Sequence, residues 1–250
     1  LMSFEKMKII ATNNQYEFVY KKKCKSTMLA LKELYNIKNK NYIIIADEQT
    51  NGVGRRGGIW HSPKGNIYCS MNFNGKIEIK DYFLFNILIV TSIKKVLEKF
   101  KLDNILFKWP NDIFFKKQKF CGVISETYTN SKGETCIISG FGINIYNSPK
   151  INEYPTTFIS SFYKEIEISL FLHEIFQILF INLKKLFSVN NKKIIEYFNR
   201  NLMFLNENVK IMTQDKKIIK GKLLGIDNRG SLMLEGNNKI LNLYSGNIVL

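Results

Sequence analysis

From Ala46 to Trp60 the chain reads ADEQTNGVGRRGGIW, directly after the β-rich residues 42–45. Glycines in such a stretch let the backbone approach a ligand closely and adopt positive φ. The adjacent Arg55 and Arg56 carry planar guanidinium groups that match phosphate and carboxylate oxygens. A loop of this composition can surround an anion with main-chain N–H groups and charged side chains together. The stretch therefore predicts a strand that ends in an anion-binding loop.

The glycines of this loop also match a dinucleotide-binding fingerprint. Gly52, Gly54 and Gly57 have the spacing G-x-G-x-x-G. That fingerprint requires a helix directly after the glycines, whose N-terminus holds the pyrophosphate. Residues 58–65 read GIWHSPKG and cannot begin a regular helix. The spacing alone therefore does not indicate a Rossmann fold, and a solvated surface loop is the plain alternative.

Length and composition indicate a folded protein with an excess of positive charge. The 250 residues suffice for one sizeable core, or for one core with a small appended domain. A hydrophobic content of 45% excludes an intrinsically disordered chain. The formal net charge of +16 favours anionic partners such as nucleic acid or acidic proteins. Most of the excess is Lys scattered among Asn and Ile, so genome base composition explains the charge equally well.

The cysteines and the apolar segments exclude several classes of protein. The four cysteines lie far apart without a C-x-x-C pair, so a structural zinc site is not expected and reduced thiols are. Charged Glu5, Lys6 and Lys8 interrupt any signal-peptide core. Polar residues interrupt the apolar stretches 82–93 and 169–183, so neither is expected to span a membrane. These features predict a cytoplasmic protein.

Hydrophobic periodicity predicts a mixed α/β unit followed by a small β unit. Residues 9–20 are predicted as a strand or extended lead-in, and a helix is predicted after Ser26 and Thr27 with a hydroxyl residue at its N-cap. Further helices are predicted at 82–100, 169–187 and 192–202, and strands at 42–46, 66–73, 105–109, 112–116, 120–128 and 135–145. Short strands at 209–212, 218–226, 231–235 and 240–243 predict a small β-barrel.

Three further motifs lie on the predicted strands. Residues 108–112 read KWPND, which places the ammonium of Lys108 at the end of a strand, where it suits phosphate oxygens. An ordinary turn fixed by its proline is the alternative. Gly122 and the stretch GFGIN at 140–144 put glycines inside strands, which indicates close approach of a ligand or backbone, or only a bulge.

Taken together, the order and spacing of these motifs closely resemble the biotin–protein ligases. The resemblance covers nearly the whole chain, and the lysine motif joined to the arginine-rich glycine loop is its most specific part. The matching pieces are Ser26-Thr27, Gln49, GVGRRG at 52–57, Trp60, Ser62-Pro63, NIY at 66–68, Ser70-Met71, KWPND at 108–112, Lys119, Gly122, Glu126, GIN at 142–144, LLGID at 223–227, GSL at 230–232 and YSG at 244–246.

The resemblance implies an α+β fold in which a mixed sheet with helices, like that of class II synthetases, carries a small C-terminal SH3-like barrel. It places a catalytic biotin/lipoate ligase-like domain at residues 1–205 and the SH3-like domain at residues 206–250. Some relatives carry an N-terminal DNA-binding winged helix. Because Ser26 comes so early, none is expected here, and the chain is identified as the monofunctional type.

The resemblance also implies a two-step reaction. The carboxylate of biotin attacks the α-phosphate of ATP to give biotinyl-5′-AMP and pyrophosphate, with Mg²⁺ as a cofactor. A lysine amine of a biotin carboxyl carrier domain, such as that of acetyl-CoA carboxylase, then attacks the mixed anhydride and releases AMP. Because two anions must meet, fixed positive charge is required. A specific nucleic acid or a membrane partner is not expected, and a homodimer stays open because sheet edges can pair or stay blunted.

Site residues carry over by position in this sequence. Catalytic roles fall to Lys108 and Arg55. The residues expected to contact biotin are Ser26, Thr27, Gln49, Gly52, Gly54, Arg55, Lys108 and Gly122. The residues expected to surround ATP or the adenylate are Arg55, Arg56, Trp60, Asn111 and Asn144. No side chain is assigned as a metal ligand.

Two departures from the family pattern leave alternatives open. Met28 stands where the family usually has asparagine, and Val53 where arginine is common. We expect weaker polar contact at the ring pocket, one charge fewer over the adenylate, and retained but slower adenylation. The alternatives are a lipoate–protein ligase, a nucleic-acid-binding regulator suggested by the net charge, and an inactive biotin-binding relative.

Overall fold

The structure is a computed structural model that describes residues 4–74, 82–151, 154–186, 192–236 and 239–249. Its helices are α1 (Glu5–Asn13), α2 (Thr27–Ile37), α3 (Tyr82–Lys99), α4 (Ile168–Leu186) and α5 (Lys192–Arg200). Its strands are β1 (Tyr16–Lys21), β2 (Asn41–Ala46), β3 (Ile67–Phe73), β4 (Ile105–Lys108), β5 (Asp112–Phe115), β6 (Gln118–Thr129), β7 (Thr135–Ile143), β8 (Asn208–Met212), β9 (Ile218–Ile226), β10 (Leu232–Gly236), β11 (Lys239–Leu243) and β12 (Asn247–Ile248).

Most predicted elements are confirmed within one to three residues, but the N-terminal one is wrong. The predicted extended segment 9–20 begins inside α1, and only β1 is extended. Met7 and Ala11 lie four residues apart on one face of α1 and are fully buried, so this short face is helical. β12 was missed because its two residues carry no periodic signal.

Seven strands form a mixed sheet in the order β1-β2-β3-β7-β6-β5-β4. β1 and β2 are parallel, with α2 as the connection between them, and the other pairs are antiparallel. Side chains alternate between the two faces with period two. Ile43 and Ile45 belong to the large core under α1, α3 and α4, whereas Ile44 and Ile138 pack with Leu31 of α2 on the opposite face.

The C-terminal strands form an antiparallel five-stranded sheet in the order β11-β10-β9-β8-β12. Its inner residues Leu223, Leu232 and Leu234 belong to the same hydrophobic cluster as the core of the larger unit. The indole N–H of Trp109, just after β4, donates to the carbonyl of Gly230 at 3.1 Å. The small sheet is therefore packed firmly against the end of the large sheet that carries the KWPND turn.

None of the helices in the described ranges is long and apolar enough to cross a membrane. The apolar stretches 82–93 and 169–183 fall in α3 and α4, which pack against each other beneath the sheet.

Candidate active site

A cavity of about 500 Å³ opens on the sheet face that carries α2. Glycines form its floor. Gly142 of β7 pairs with Gly122 of β6, and Gly140 lies two residues earlier on the same face of β7. A Cβ atom at Gly142 would overlap the indole of Trp60, and one at Gly122 would lie 3.0 Å from the same ring. Because these glycines have no side chains, the indole of Trp60 packs directly on their backbone, a position that we call its seat. The buried Nε1–H of Trp60 has no hydrogen-bond partner among the described residues.

One end of the cavity is a cluster of hydroxyl and amide groups. The Oε1 of Gln49 accepts hydrogen bonds from the backbone N–H of Thr27 at 2.8 Å and from its hydroxyl at 3.2 Å. The Nε2 of Gln49 donates to Ser62 Oγ at 2.9 Å, and the hydroxyls of Thr27 and Ser70 lie 2.7 Å apart. Ser26 occupies the predicted N-cap position of α2 in an extended conformation, but its side chain makes no capping hydrogen bond.

The other end of the cavity is cationic. Lys119 Nζ lies 2.8 Å from Asp112 Oδ1, and both side chains are less than a fifth exposed. The Lys119 ammonium also lies over the rings of Trp60 at 5.2 Å and Tyr154 at 5.1 Å. Lys108 stands opposite Asp112 in the β4–β5 ladder, and the charge of Asp112 acts on both lysines, although the ion pair is with Lys119. This arrangement concentrates positive charge that an anionic ligand can neutralise.

The two lysines respond differently to this environment. Burial lowers the pKa of Lys108, and the nearby charges of Lys119 and Arg55 lower it further, while Asp112 acts in the opposite direction. Burial also acts to lower the pKa of Lys119, but the Asp112 carboxylate, together with Tyr154 and Cys121, outweighs burial and raises that pKa above the ordinary value. Lys119 is therefore a fixed cation, whereas the charge of Lys108 has weaker compensation from the protein.

Arg55 reaches this cationic end from a tight turn. Gly54 N–H donates to the Gly58 carbonyl at 2.7 Å, and Arg56 inside this turn has a positive φ of 55°. The Arg55 guanidinium donates to Asn247 Oδ1 at 3.0 Å, to Asn111 Oδ1 at 3.3 Å and to the Gly246 carbonyl at 3.5 Å. The C-terminal sheet thus holds the arginine over the cavity.

The structure brings together nine of the residues named from the sequence. Those that line the cavity are Ser26, Thr27, Gln49, Gly54, Arg55, Trp60, Lys108, Asn111 and Gly122. Gly122 borders the cavity, although its open side faces Trp60, Asp112 and Lys119.

Three of the residues named from the sequence do not line this cavity. Gly52 is buried behind the loop, where a Cβ atom would overlap the carbonyl of Trp60. Arg56 lines a neighbouring cavity of about 340 Å³. Asn144 follows β7, donates to the Thr157 carbonyl at 3.1 Å and keeps a buried Oδ1 without a partner in the described part of the chain. A buried oxygen of this kind can accept a further hydrogen bond.

Several cavity residues were not assigned a site role from the sequence. Lys119 belongs to a motif of the resemblance, but its pairing with Asp112 depends on the β5–β6 register. Asn247 comes from the last strand, and no local pattern distinguishes it from the other asparagines of the chain. Asp112 is the only carboxylate among the described residues that line the cavity. The described ranges contain no group of three or more His, Cys, Asp or Glu that could hold a metal ion.

Comparison with known proteins identifies the family. The sequence model of the biotin/lipoate A/B protein ligase family matches residues 20–144, half of the chain. This chain belongs to that family. The model of the biotin protein ligase C terminal domain matches residues 204–250. Together these matches confirm the resemblance and the small C-terminal β unit expected from it.

Individual relatives extend this result. The bifunctional ligase/repressor BirA of Bacillus subtilis is 26% identical over 83% of this chain and 66% of its own length. The Escherichia coli BirA is 29% identical over 82% of this chain and 65% of its own length. The chain thus spans just under two thirds of these curated relatives. The biotin protein ligase of Aquifex aeolicus, solved with biotin and ATP, matches with a TM-score of 0.78 and 25% identity, covering 92% of this chain and 97% of that one. This similarity confirms the α+β fold.

Proposed function

We propose that this chain is an ATP-dependent biotin–protein ligase that forms biotinyl-5′-AMP and transfers the biotinyl group to a lysine of a biotin carboxyl carrier domain. One observation carries the proposal: Arg55, Lys108 and Lys119 converge on one cavity whose opposite end is a cluster of hydrogen-bonding groups. A solved relative of this fold holds biotin and ATP. The hydrogen-bonding end suits the ring of biotin, and the cationic end suits the biotin carboxylate and the phosphates of ATP.

The polar end suits the ring system of biotin. A ureido group offers two N–H donors and one carbonyl acceptor, and the hydroxyls and amide of Thr27, Gln49 and Ser70 supply the complementary groups. The indole of Trp60 forms an apolar wall between the two ends, which suits the valeryl chain. A biotin bound in this way directs its carboxylate toward the lysines.

The cationic end suits the reacting groups. The biotin carboxylate and the α-phosphate of ATP repel each other, and preorganised cations lower that barrier without reorganising at the moment of reaction. A carboxylate oxygen of biotin attacks the α-phosphorus, the bond to the bridging oxygen breaks, and pyrophosphate leaves. Lys108 neutralises the attacking carboxylate, and Arg55 and Lys119 stabilise charge on the phosphate oxygens.

Mg²⁺ fits this scheme as part of the substrate. The lone cavity carboxylate among the described residues, Asp112, is already paired with Lys119, so it is not a dedicated metal ligand. Mg²⁺ usually binds through substrate phosphates with few protein ligands. We therefore place the ion on the triphosphate of ATP, and it leaves with pyrophosphate.

In the second step, the uncharged amine of the acceptor lysine attacks the carbonyl carbon of the mixed anhydride. The C–O bond to AMP breaks, an amide forms, and the amine loses a proton to solvent. We also propose that residues 1–205 carry this chemistry and residues 206–250 close the site, because Asn247 contacts Arg55. The free thiols at Cys24, Cys69, Cys121 and Cys136 are in keeping with a reducing cytoplasm.

A lipoate–protein ligase is the rival within the family. The dithiolane ring of lipoate has no N–H donor and no carbonyl, so it would form no hydrogen bonds with the groups around Gln49. Sites built to hydrogen-bond a substrate reject analogues that lack the bonding group by large factors, about 10⁴ in well-studied cases. The polar end therefore favours biotin.

Mass spectrometry of a carrier domain incubated with the chain, Mg·ATP and either biotin or lipoic acid tests the proposal. We expect one biotinyl group on one lysine and no lipoyl group. Lys108→Ala should abolish pyrophosphate release and leave the thermal unfolding transition in place. A chain that lipoylates but does not biotinylate the carrier, or a fully active Lys108→Ala protein, would overturn the respective assignment.

A further inference from the structure

Met28 occupies the space that a side chain at position 140 would fill. A Cβ atom built on Gly140 would lie 2.8 Å from both Cγ and Sδ of Met28, which is closer than real contacts of this kind. Met28 is 6% exposed, and its side chain lines the cavity. The thioether therefore sits directly on the glycine floor.

The position of Met28 follows from the start of α2. Thr27 is the first residue of that helix and joins the polar cluster through Gln49 and Ser70. Met28 is the next residue, and Ser70 pairs with Gly140 across the β3–β7 ladder. The thioether and the hydrogen-bonding groups thus border the same end of the cavity. A ring bound there has polar groups on one edge and Met28 on another.

The same side chain also separates two cavities. Met28, Val53 and Ile124 line both the main cavity and the neighbouring cavity of about 340 Å³, as do Gly54 and Arg55. Ile124 pairs with Gly140 across the β6–β7 ladder, so it flanks the seat of the thioether. These three apolar side chains form a partition at the polar end of the main cavity. Its position sets the width available to a ring in that end.

From this geometry we infer that Met28, seated on Gly140, is a specificity-determining residue that sets the width of the ring pocket and so selects the acid. The inference rests on the proposed function, because it concerns the part of the cavity that is proposed to bind biotin. Methionine suits the role since its unbranched thioether fills an irregular gap against a ring. Neither Arg55 nor Lys119, which serve the nucleotide half, supplies one of the nearest atoms to a Cβ atom at Gly140.

A double-mutant cycle of Gly140→Ala and Met28→Ala tests this inference. The new methyl group displaces the thioether into the main cavity, and one methylene of misfit in a pocket costs at least about tenfold. We expect Gly140→Ala to raise the KM for biotin by about tenfold and to leave the KM for ATP within about twofold. In the Met28→Ala background, Gly140→Ala should change the KM for biotin less than about twofold, because its partner is gone.

The cycle separates Met28 from another neighbour of the glycine. A Cβ atom at Gly140 would also lie 3.2 Å from Ser70 Oγ. If Gly140→Ala acted through Ser70, its effect would persist in the Met28→Ala background, and this would overturn the inference. An equal rise in the KM for ATP, or no change in the KM for biotin, would overturn it too.

Met28→Phe supplies the same test without altering the sheet, in case Gly140→Ala does not fold. The larger ring should narrow the pocket and raise the KM for biotin at least about tenfold, and an unchanged KM would contradict the inference. Pyrophosphate release by the unsubstituted chain is measured first. If biotin elicits none there, the proposed function fails, whereas a failure confined to the variants concerns Met28 alone.

Discussion

Asn247→Ala tests whether the C-terminal sheet takes part in the active site. The Oδ1 of Asn247 accepts a hydrogen bond from the Arg55 guanidinium at 3.0 Å, the shortest of the three bonds described for that group. The substitution removes this bond and leaves those to Asn111 and to the carbonyl of Gly246. Arg55 should then hold its position over the cavity less well, and binding of the triphosphate should weaken.

The magnitude follows from the hydrogen bond. A bond between a charged donor and a neutral acceptor contributes about 1.5–3 kcal/mol when buried. Arg55 is only partly buried and keeps its bonds to Asn111 and Gly246, so we expect about 1 kcal/mol, which is below that range. This corresponds to a rise of about fivefold in the KM for ATP. The KM for biotin should change little, because Asn247 is remote from the polar cluster around Gln49.

Steady-state pyrophosphate release at varied ATP and saturating biotin measures this effect. Asn242→Ala is the matched control, since Asn242 lies exposed on β11 of the same sheet. We expect the control to behave like the parent chain. If Asn247→Ala and Asn242→Ala show the same KM for ATP, the C-terminal sheet does not position Arg55, and the reasoning fails.

Three further changes test the cationic end and the floor. Lys108→Met should be more stable to urea than the parent at pH 7. Its advantage should shrink toward pH 10.5, because burial lowers the pKa of Lys108 and the unfolded chain binds the extra proton in that window. Asp112→Asn leaves Lys119 buried without its counter-charge and should cost about 3 kcal/mol in the free energy of unfolding, measured with urea. Gly142→Ala should expel Trp60 from its seat, shift its fluorescence to longer wavelength and abolish adenylation.

A specific result would contradict each of these three predictions. If the difference in the free energy of unfolding between Lys108→Met and the parent chain is independent of pH, burial of the charged Lys108 does not destabilise the fold. Unchanged urea unfolding in Asp112→Asn would mean that Lys119 is solvated. Full activity in Gly142→Ala would show that the indole does not need the glycine seat.

Local patterns were sufficient for most elements and for the residue types of the site. The β-rich residues before Gln49, the glycines and arginines after it, and the lysine at the end of β4 are signals within a few residues, because strand and turn preferences are local. Nine of the predicted site residues line one cavity, and most of them lie at a strand end, at the start of α2 or in a loop that the sequence already marks, whereas Gly122 lies inside β6. α1 was not predicted because only two residues on its helical face, Met7 and Ala11, are fully buried.

By itself the sequence determined the order of elements, the charge of the loop and the lysine motif, since these depend on neighbours along the chain. Tertiary structure alone decided which groups meet: the β5–β6 register brings Lys119 to Asp112, and the docked small sheet brings Asn247 to Arg55. It also matched Met28 and Trp60 to Gly140 and Gly142. Such contacts depend on strand register and packing between distant segments, which no local preference encodes.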